Sequence, residues 1–217
     1  SGARNKLLDM AQGKYLAVMD HDDISLPDRF ARQVDFLESN PDVGVVGSRT
    51  KYFPGGKIKR YPLTNHEIEN TLMYGCVIEH PAAMIRKSVL VDNSIHYEEE
   101  YTPAEDYVLF CRLLEKTKFA NLPEILLHYR SHATNTSRTL SKKMTVSDRA
   151  ATILVRTSYP AIWERAQQEV VILQIHKLFG ALPVLITKKQ GTKTKYMLFG
   201  FIPVLTVINT GRRIRRS

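Results

Sequence analysis

The period of the apolar positions changes along this chain, and each change marks an element. Leu7, Leu8 and Ala11 share one face of a helix over 3–12 that stops at Gly13. Tyr15 to Met19 is a short apolar run, which predicts a buried strand over 14–19, and it ends in Asp20-His21-Asp22-Asp23. Pro27 opens an amphipathic helix over 27–39 with Phe30, Val34 and Leu37 on one face, and Asn40-Pro41-Asp42 breaks it. The run VGVVGS, 43–48, predicts a second buried strand, and FPGGK, 53–57, a turn. A short helix follows over 65–73. Residues 77–90 read as strand, break at Pro81, strand and helical turn. After an acidic loop over 98–106 comes a helix over 106–117, with Val108, Leu109, Leu113 and Leu114 inward. Residues 119–132 read as a strand pair and 141–175 as helix, broken at Pro160. Interleaved strands and helices predict an α/β fold.

The tail follows neither period. LFGALPVLI begins at Leu178 and LFGFIPVLTVI at Leu198, so one pattern recurs after 20 residues. Gly and Pro inside each copy oppose a straight helix, and each run falls short of the about 20 residues that span a bilayer. Two copies are too few for a solenoid. Charge sharpens this division. Residues 1–169 hold 22 Lys and Arg against 22 Asp and Glu, whereas 170–217 hold nine Lys and Arg and no acid. The net +9 therefore belongs to the tail, and the neutral body argues against a nucleic-acid partner. Apolar runs beside Lys188, Lys189, Lys193, Lys195 and Arg212, Arg213, Arg215, Arg216 suit an anionic membrane surface, or else they close a core. Apolar content of 43% and charged content of 24% are those of a globular protein. Cys76 and Cys111 make no disulfide framework and read as buried thiols in a reducing compartment. The opening SGARNK carries no initiator Met and no leader pattern, and so reads as part of a longer chain.

Three constellations carry candidate chemistry. Asp20, Asp22 and Asp23 sit where a strand ends before a helix, at the carboxyl edge of a sheet, and their oxygens suit a hard divalent cation. A helix N-terminus rich in acid explains Asp23 and Asp28 equally well, but not Asp20. Glu105-Asp106 opens a helix, where acids are routine, and the same position suits a general base. His128, Arg130 and His132 alternate with period 2, which places them together either toward a phosphate or metal, or toward solvent. His80, alone near a strand end, has a structural and a catalytic reading.

In combination these residues resemble the family 2 glycosyltransferases, the inverting group with the GT-A fold. The strings that carry the resemblance are Ala-Arg-Asn at 3–5, Gly-Lys-Tyr at 13–15, the acidic motif, Pro27-Asp28-Arg29, Gln33 and Asn40-Pro41. EHPAAMIRKSVL, AEDYVLFCRL and LLHYRSHATNTS extend it to about residue 138. The resemblance implies a partial GT-A domain over 1–138, a mixed Rossmann-like sheet flanked by helices. A helical extension over 139–177 and the apolar and basic tail over 178–217 would follow it. The family's nucleotide-binding part precedes Ala-Arg-Asn, so it is expected to lie largely outside this chain.

By position the resemblance implies Asp106 as base, with Glu105 orienting it or touching the acceptor. Asp22, with Asp20 and His128, would hold Mn²⁺ or Mg²⁺. Asp20, Asp23, Arg4, Arg130 and His132 would lie toward the donor diphosphate, and His80 on the acceptor side. The implied reaction moves a sugar from a nucleotide-diphosphate donor to a hydroxyl of a glycan or lipid-linked acceptor in cell-surface polysaccharide synthesis. The expected location is cytoplasmic, on the inner face of the membrane. A metal-dependent phosphoesterase and an inactive membrane-surface module are the alternatives.

Overall fold

The computed structural model describes residues 1–132, 135, 139–179, 185–190, 193–198 and 202–208, with side chains through residue 170 apart from residue 141. It divides into two compact units, Ser1–Ala166 and Gln167–Ser217.

The first unit is built on a mixed sheet. Its strands are β1 (Tyr15–Ala17), β2 (Ile24–Ser25), β3 (Val43–Phe53), β4 (Ile58–Lys59), β5 (Met84–Arg86) and β6 (Lys118–Arg130), in the spatial order β1-β5-β3-β6-β2, with β4 also paired to β3. β3 and β6 are parallel, while β5 is antiparallel to both β1 and β3. Strand alternation assigns the two faces. Val45, Ile85 and Phe119 look into one apolar cluster, and Val46, Met84 and Ala120 into the other.

Helices cover both faces. α2 (Arg29–Ser39) lies on the second cluster through Leu37. α5 (Glu105–Arg112) fills the first with Val108, Leu109 and Phe110. α3 (Asn65–Leu72) adds Ile68 and Leu72 and starts at a reciprocal Thr64–Glu67 capping box. α1 (Gly2–Met10) and α4 (Lys87–Asp92) complete the smaller helices. The last two are α6 (Ser141–Ser158) and α7 (Pro160–Phe179), separated at Tyr159 as Pro160 demands.

The structure departs from the sequence expectations in several places. The strand pair over 119–132 is one strand. Ser48 pairs with Leu122 but Arg49 with Ile125, so Pro123 and Glu124 form a bulge. The strand over 43–48 continues to Phe53, and α5 ends at Arg112 rather than 117. Phe30, expected inward, is 49% exposed, because α2 turns Arg29, Gln33 and Leu37 to the sheet instead. Both cysteines are free, but only Cys111 is buried; Cys76 is half-buried.

The expected boundary at 138 is not where the chain divides. Ala151, Val155, Ile162 and Ala166 belong to the first unit's core, and Arg156 Nε donates to Met73 O at 2.8 Å. In the second unit, β7 (Leu185–Gln190), β8 (Lys193–Leu198) and β9 (Ile202–Ile208) form an antiparallel sheet where the sequence suggested no element. Gly180, Pro183, Gly200 and Arg212 to Arg216 lie outside the described residues, as do 133–134 and 136–138.

Candidate active site

The connection from β1 to β2 carries Asp20, Asp22 and Asp23 from one edge strand of the sheet to the other. Two inward side chains of α2 hold it from below. Arg29, fully buried, donates from Nη2 to Val18 O at 2.7 Å and Ala83 O at 3.3 Å, and from Nε to Gln33 Oε1 at 3.1 Å. Gln33 Nε2 donates to Ala82 O at 2.8 Å and Val46 O at 3.2 Å. These bonds satisfy backbone carbonyls where strand pairing ends, which is why two polar residues occupy an inward helical face. Burial lowers the Arg29 guanidinium to about 10.

The three aspartates have different settings. His132 Nε2 lies 2.9 Å from Asp22 Oδ2, and this hydrogen bond holds the Asp22 carboxyl below its ordinary range. Arg130 Nε donates to Asp22 O at 2.7 Å. Asp23 turns inward. Its Oδ1 accepts from Arg130 N at 2.7 Å, its Oδ2 is buried without a hydrogen-bond partner, and burial pushes the carboxyl up to about 6. Asp20 is raised by burial against the opposing pull of Arg4, whose Nη2 lies 3.7 Å from Asp20 Oδ1.

Arg4 also donates from Nη1 to Glu105 Oε1 at 2.8 Å, while Glu105 Oε2 is buried and unpaired. Asn5 exchanges two 2.9 Å bonds with the backbone of Tyr97, which fixes α1 against the site. Asp106, in the first turn of α5, accepts from Tyr107 N at 2.8 Å, and burial nevertheless raises it to about 6. His80 is buried, with Nε2 2.8 Å from Tyr97 Oη, and burial lowers its imidazole to about 3.

A cleft of about 550 Å³ brings Arg4, Asp20, Asp22, His80, Glu105, Asp106 and His132 to one wall-lined space. Asp23, His128 and Arg130 are not part of that wall. His128 lies on the opposite face of β6 from Tyr129, with its ring 6.2 Å from Phe53, and Arg130 stacks on Phe53 at 4.6 Å. The structure does not bring His128 to Asp20 and Asp22. Period 2 fixed which residues of β6 share a face but not which face meets the cleft.

Sequence reasoning missed Lys59, Tyr61 and Glu79, which line the same cleft. Glu79 had one signal, its place at the head of EHPAAMIRKSVL, and Lys59 and Tyr61 had none. Among the described residues no three His, Cys, Asp or Glu side chains converge as a metal cluster. Asp22 and Asp20 both line the cleft, and carboxylate oxygens are the donor type that a hard cation shares with substrate phosphates.

Residues 1–95 match the family model described as Glycosyl transferase family 2. Family 2 glycosyltransferase sequence thus occupies residues 1–95, just under half of the chain. AmsE, the amylovoran biosynthesis glycosyltransferase of Erwinia amylovora, is 32% identical over 133 residues, covering 59% of this chain and 49% of that protein. An uncharacterized glycosyltransferase of Methanocaldococcus jannaschii is 30% identical over 134 residues, covering 59% and 46%. The chain thus spans about half the length of these curated relatives. WbnJ, an O-antigen biosynthesis glycosyltransferase of Escherichia coli, is 31% identical over 144 residues, covering 64% and 56%. The fold matches S. aureus TarS 1–349 in complex with UDP, with a TM-score of 0.51 at 12% identity over 93% of this chain and 77% of that one. The architecture is therefore α/β, of the GT-A type.

Proposed function

We propose that this chain carries the catalytic base and the diphosphate side of a metal-dependent inverting glycosyltransferase. The donor is a nucleotide-diphosphate sugar, and the acceptor is a hydroxyl of a glycan or lipid-linked glycan in cell-surface polysaccharide synthesis. The observation that carries the reading is the cleft itself. Asp106, raised to about 6, and the Asp22–His132 pair line one space. Relatives named for amylovoran and O-antigen biosynthesis, and a fold neighbour crystallised with UDP-GlcNAc, support the substrate classes.

Asp106 would take the proton of the acceptor hydroxyl as its oxygen attacks the anomeric carbon from the face opposite the leaving group. One displacement inverts configuration, by the logic of single-step glycosidases. A carboxylate near 6 is mostly ionised at neutral pH and a better base than an ordinary one. Glu105, held by Arg4, keeps the guanidinium beside the cleft, and Arg4, Asp20 and His132 line the diphosphate side. Asp22 and Asp20 are the residues that would hold a divalent cation, whose chemistry there is to neutralise charge on the departing diphosphate. His80, lowered by burial, remains neutral and helps to shape the acceptor side.

A two-metal phosphoesterase needs a larger converging donor set than the described residues supply. For the basic tail we propose contact with an anionic membrane surface. The test of the main reading is titration with UDP in the presence and absence of Mn²⁺, followed by an Asp22→Asn variant. Binding that needs Mn²⁺ and weakens at least tenfold in the variant supports it. Metal-independent binding of equal strength in both proteins overturns the assignment of Asp22.

A further inference from the structure

A second cavity, of about 390 Å³, opens beside the cleft, and Lys59, Tyr129 and Asn135 line both. One ligand can therefore extend across this shared wall. The two spaces differ in charge. The cleft wall carries six Asp and Glu residues against Arg4 and Lys59, whereas the second cavity is lined by Lys57 and Lys59 and no carboxylate. The surrounding β3–β4 hairpin has the same bias: residues 43–66 contain five Lys and Arg and no acid.

Lys59 is fixed in place. Its Nζ lies 3.5 Å from Glu79 Oε2 and over the rings of Tyr52 and Tyr61, at 5.6 and 5.3 Å. Glu79 is itself held by the Tyr61 hydroxyl and by Tyr52 Oη, which donates to Oε1 at 3.3 Å. An ammonium anchored by a carboxylate and two aromatic faces is pre-organised, so little ordering is lost when it meets an anion. Lys57, exposed at the rim, adds a second charge. The cavity also holds the Tyr52–Tyr129 pair, with ring centroids 4.6 Å apart. Such flat apolar faces pack against the C–H face of a pyranose while leaving its hydroxyls to polar groups.

We propose that this cavity is an acceptor subsite for an anionic group, phosphate or carboxylate, borne by a sugar that packs on Tyr129 while the reacting hydroxyl lies in the cleft. The inference rests on the glycosyl-transfer reading and names the acceptor class within it. Asp106 then works on a hydroxyl whose distance from the charged group is set by the wall between the two spaces. Neutral acceptors of the same size would gain only the aromatic contact.

The test is titration of the 217-residue chain, without donor or metal, with α-D-glucose 1-phosphate, D-glucuronic acid, neutral methyl α-D-glucoside and inorganic phosphate, read by backbone amide shifts. At least one charged sugar is expected to bind at least tenfold more tightly than the neutral glucoside, with shifts at Lys57 and Tyr129. Tighter binding of the phosphate ester supports a phosphoryl acceptor, and tighter binding of the uronate a carboxylate one. Lys57→Glu, at an exposed position, is expected to weaken charged sugars at least tenfold and leave the neutral one unchanged. Tyr129→Leu is expected to weaken every sugar and spare inorganic phosphate. Equal affinity for charged and neutral sugars, indifference to Lys57→Glu, or inorganic phosphate binding as tightly as the sugar phosphate would each overturn the subsite. None of these readouts uses donor or turnover, so failure here leaves transfer to be judged at Asp22 and Asp106.

Discussion

Glu105 and Asp106 are adjacent, yet their surroundings assign them different work. Glu105 is paired to Arg4 at 2.8 Å, whereas Asp106 accepts a backbone N–H and feels Arg4 only through space, so that burial prevails and raises it to about 6. A base acts in its deprotonated form, so transfer should rise with pH through about 6 and then level off. Asp106→Asn should lower kcat/KM by roughly 10²–10⁴ and remove that rise, while Mn²⁺-dependent UDP binding persists. Initial rates between pH 5 and 8 check both, and near-normal turnover by the variant would sink the assignment. The sequence showed these carboxylates, and equally the three of the acidic motif, but not their division of labour. That division depends on contacts from distant segments: Arg4 reaching Glu105, Arg130 N–H holding Asp23, and His132 meeting Asp22. No local period encodes such meetings. The placement of His128 fails to follow from its period for a related reason, since Tyr129 occupies the face of β6 that meets the cleft.

At the scale of elements, the apolar runs were readable because burial itself writes the pattern. Val43–Val46, Ile85 and Leu109 are where their periods put them. Elements whose inward residues are polar were harder to read. α2 presents Arg29 and Gln33 to the sheet, so the face built from Phe30 was misassigned. The inward arginine predicts a specific fragility. Arg29→Met keeps the bulk but strips hydrogen bonds from Val18 O and Ala83 O, the two carbonyls that steady the acidic connection. It should cost about 2–4 kcal/mol, seen as a lower urea midpoint with an unchanged slope. β3 carries a second constraint. A Cβ on Gly47 would lie 2.2 Å from Asn121 Oδ1, and Asn121 is buried and tied to Pro62 O at 2.8 Å. Gly47→Ala should therefore destabilise by about 1–3 kcal/mol through overpacking, although alanine is the milder residue in most strands. Thermal melts of the two variants against the parent chain test both expectations.

For the whole molecule, the decisive fact is that the division falls at Ala166. α6 and the start of α7 are part of the first unit's core, with Arg165 bridging to Glu69 at 2.6 Å and Asn70 at 2.7 Å. A chain ending at residue 166 should unfold in one transition, whereas one ending at 138 exposes the surfaces that Ala151, Val155 and Ile162 cover and should not. That shortened chain then isolates the tail. Among the described residues no helix is long and apolar enough to cross a membrane. The backbone register of the β7–β9 sheet pairs Lys188 directly with Lys195. With nine Lys and Arg and no acid in residues 170–217, nothing within that segment neutralises them. An anionic surface does so, at about 1 kcal/mol per Lys or Arg brought near it. The full chain should thus sediment with phosphatidylserine-containing vesicles at low salt and be released in concentrated salt, since screening shortens the reach of such attraction. The chain ending at 166 should remain in the supernatant throughout. If both remain there, the tail's charge serves some other contact. If both sediment, the attraction lies in the first unit, whose Lys57 and Lys59 would then be the first residues to reverse.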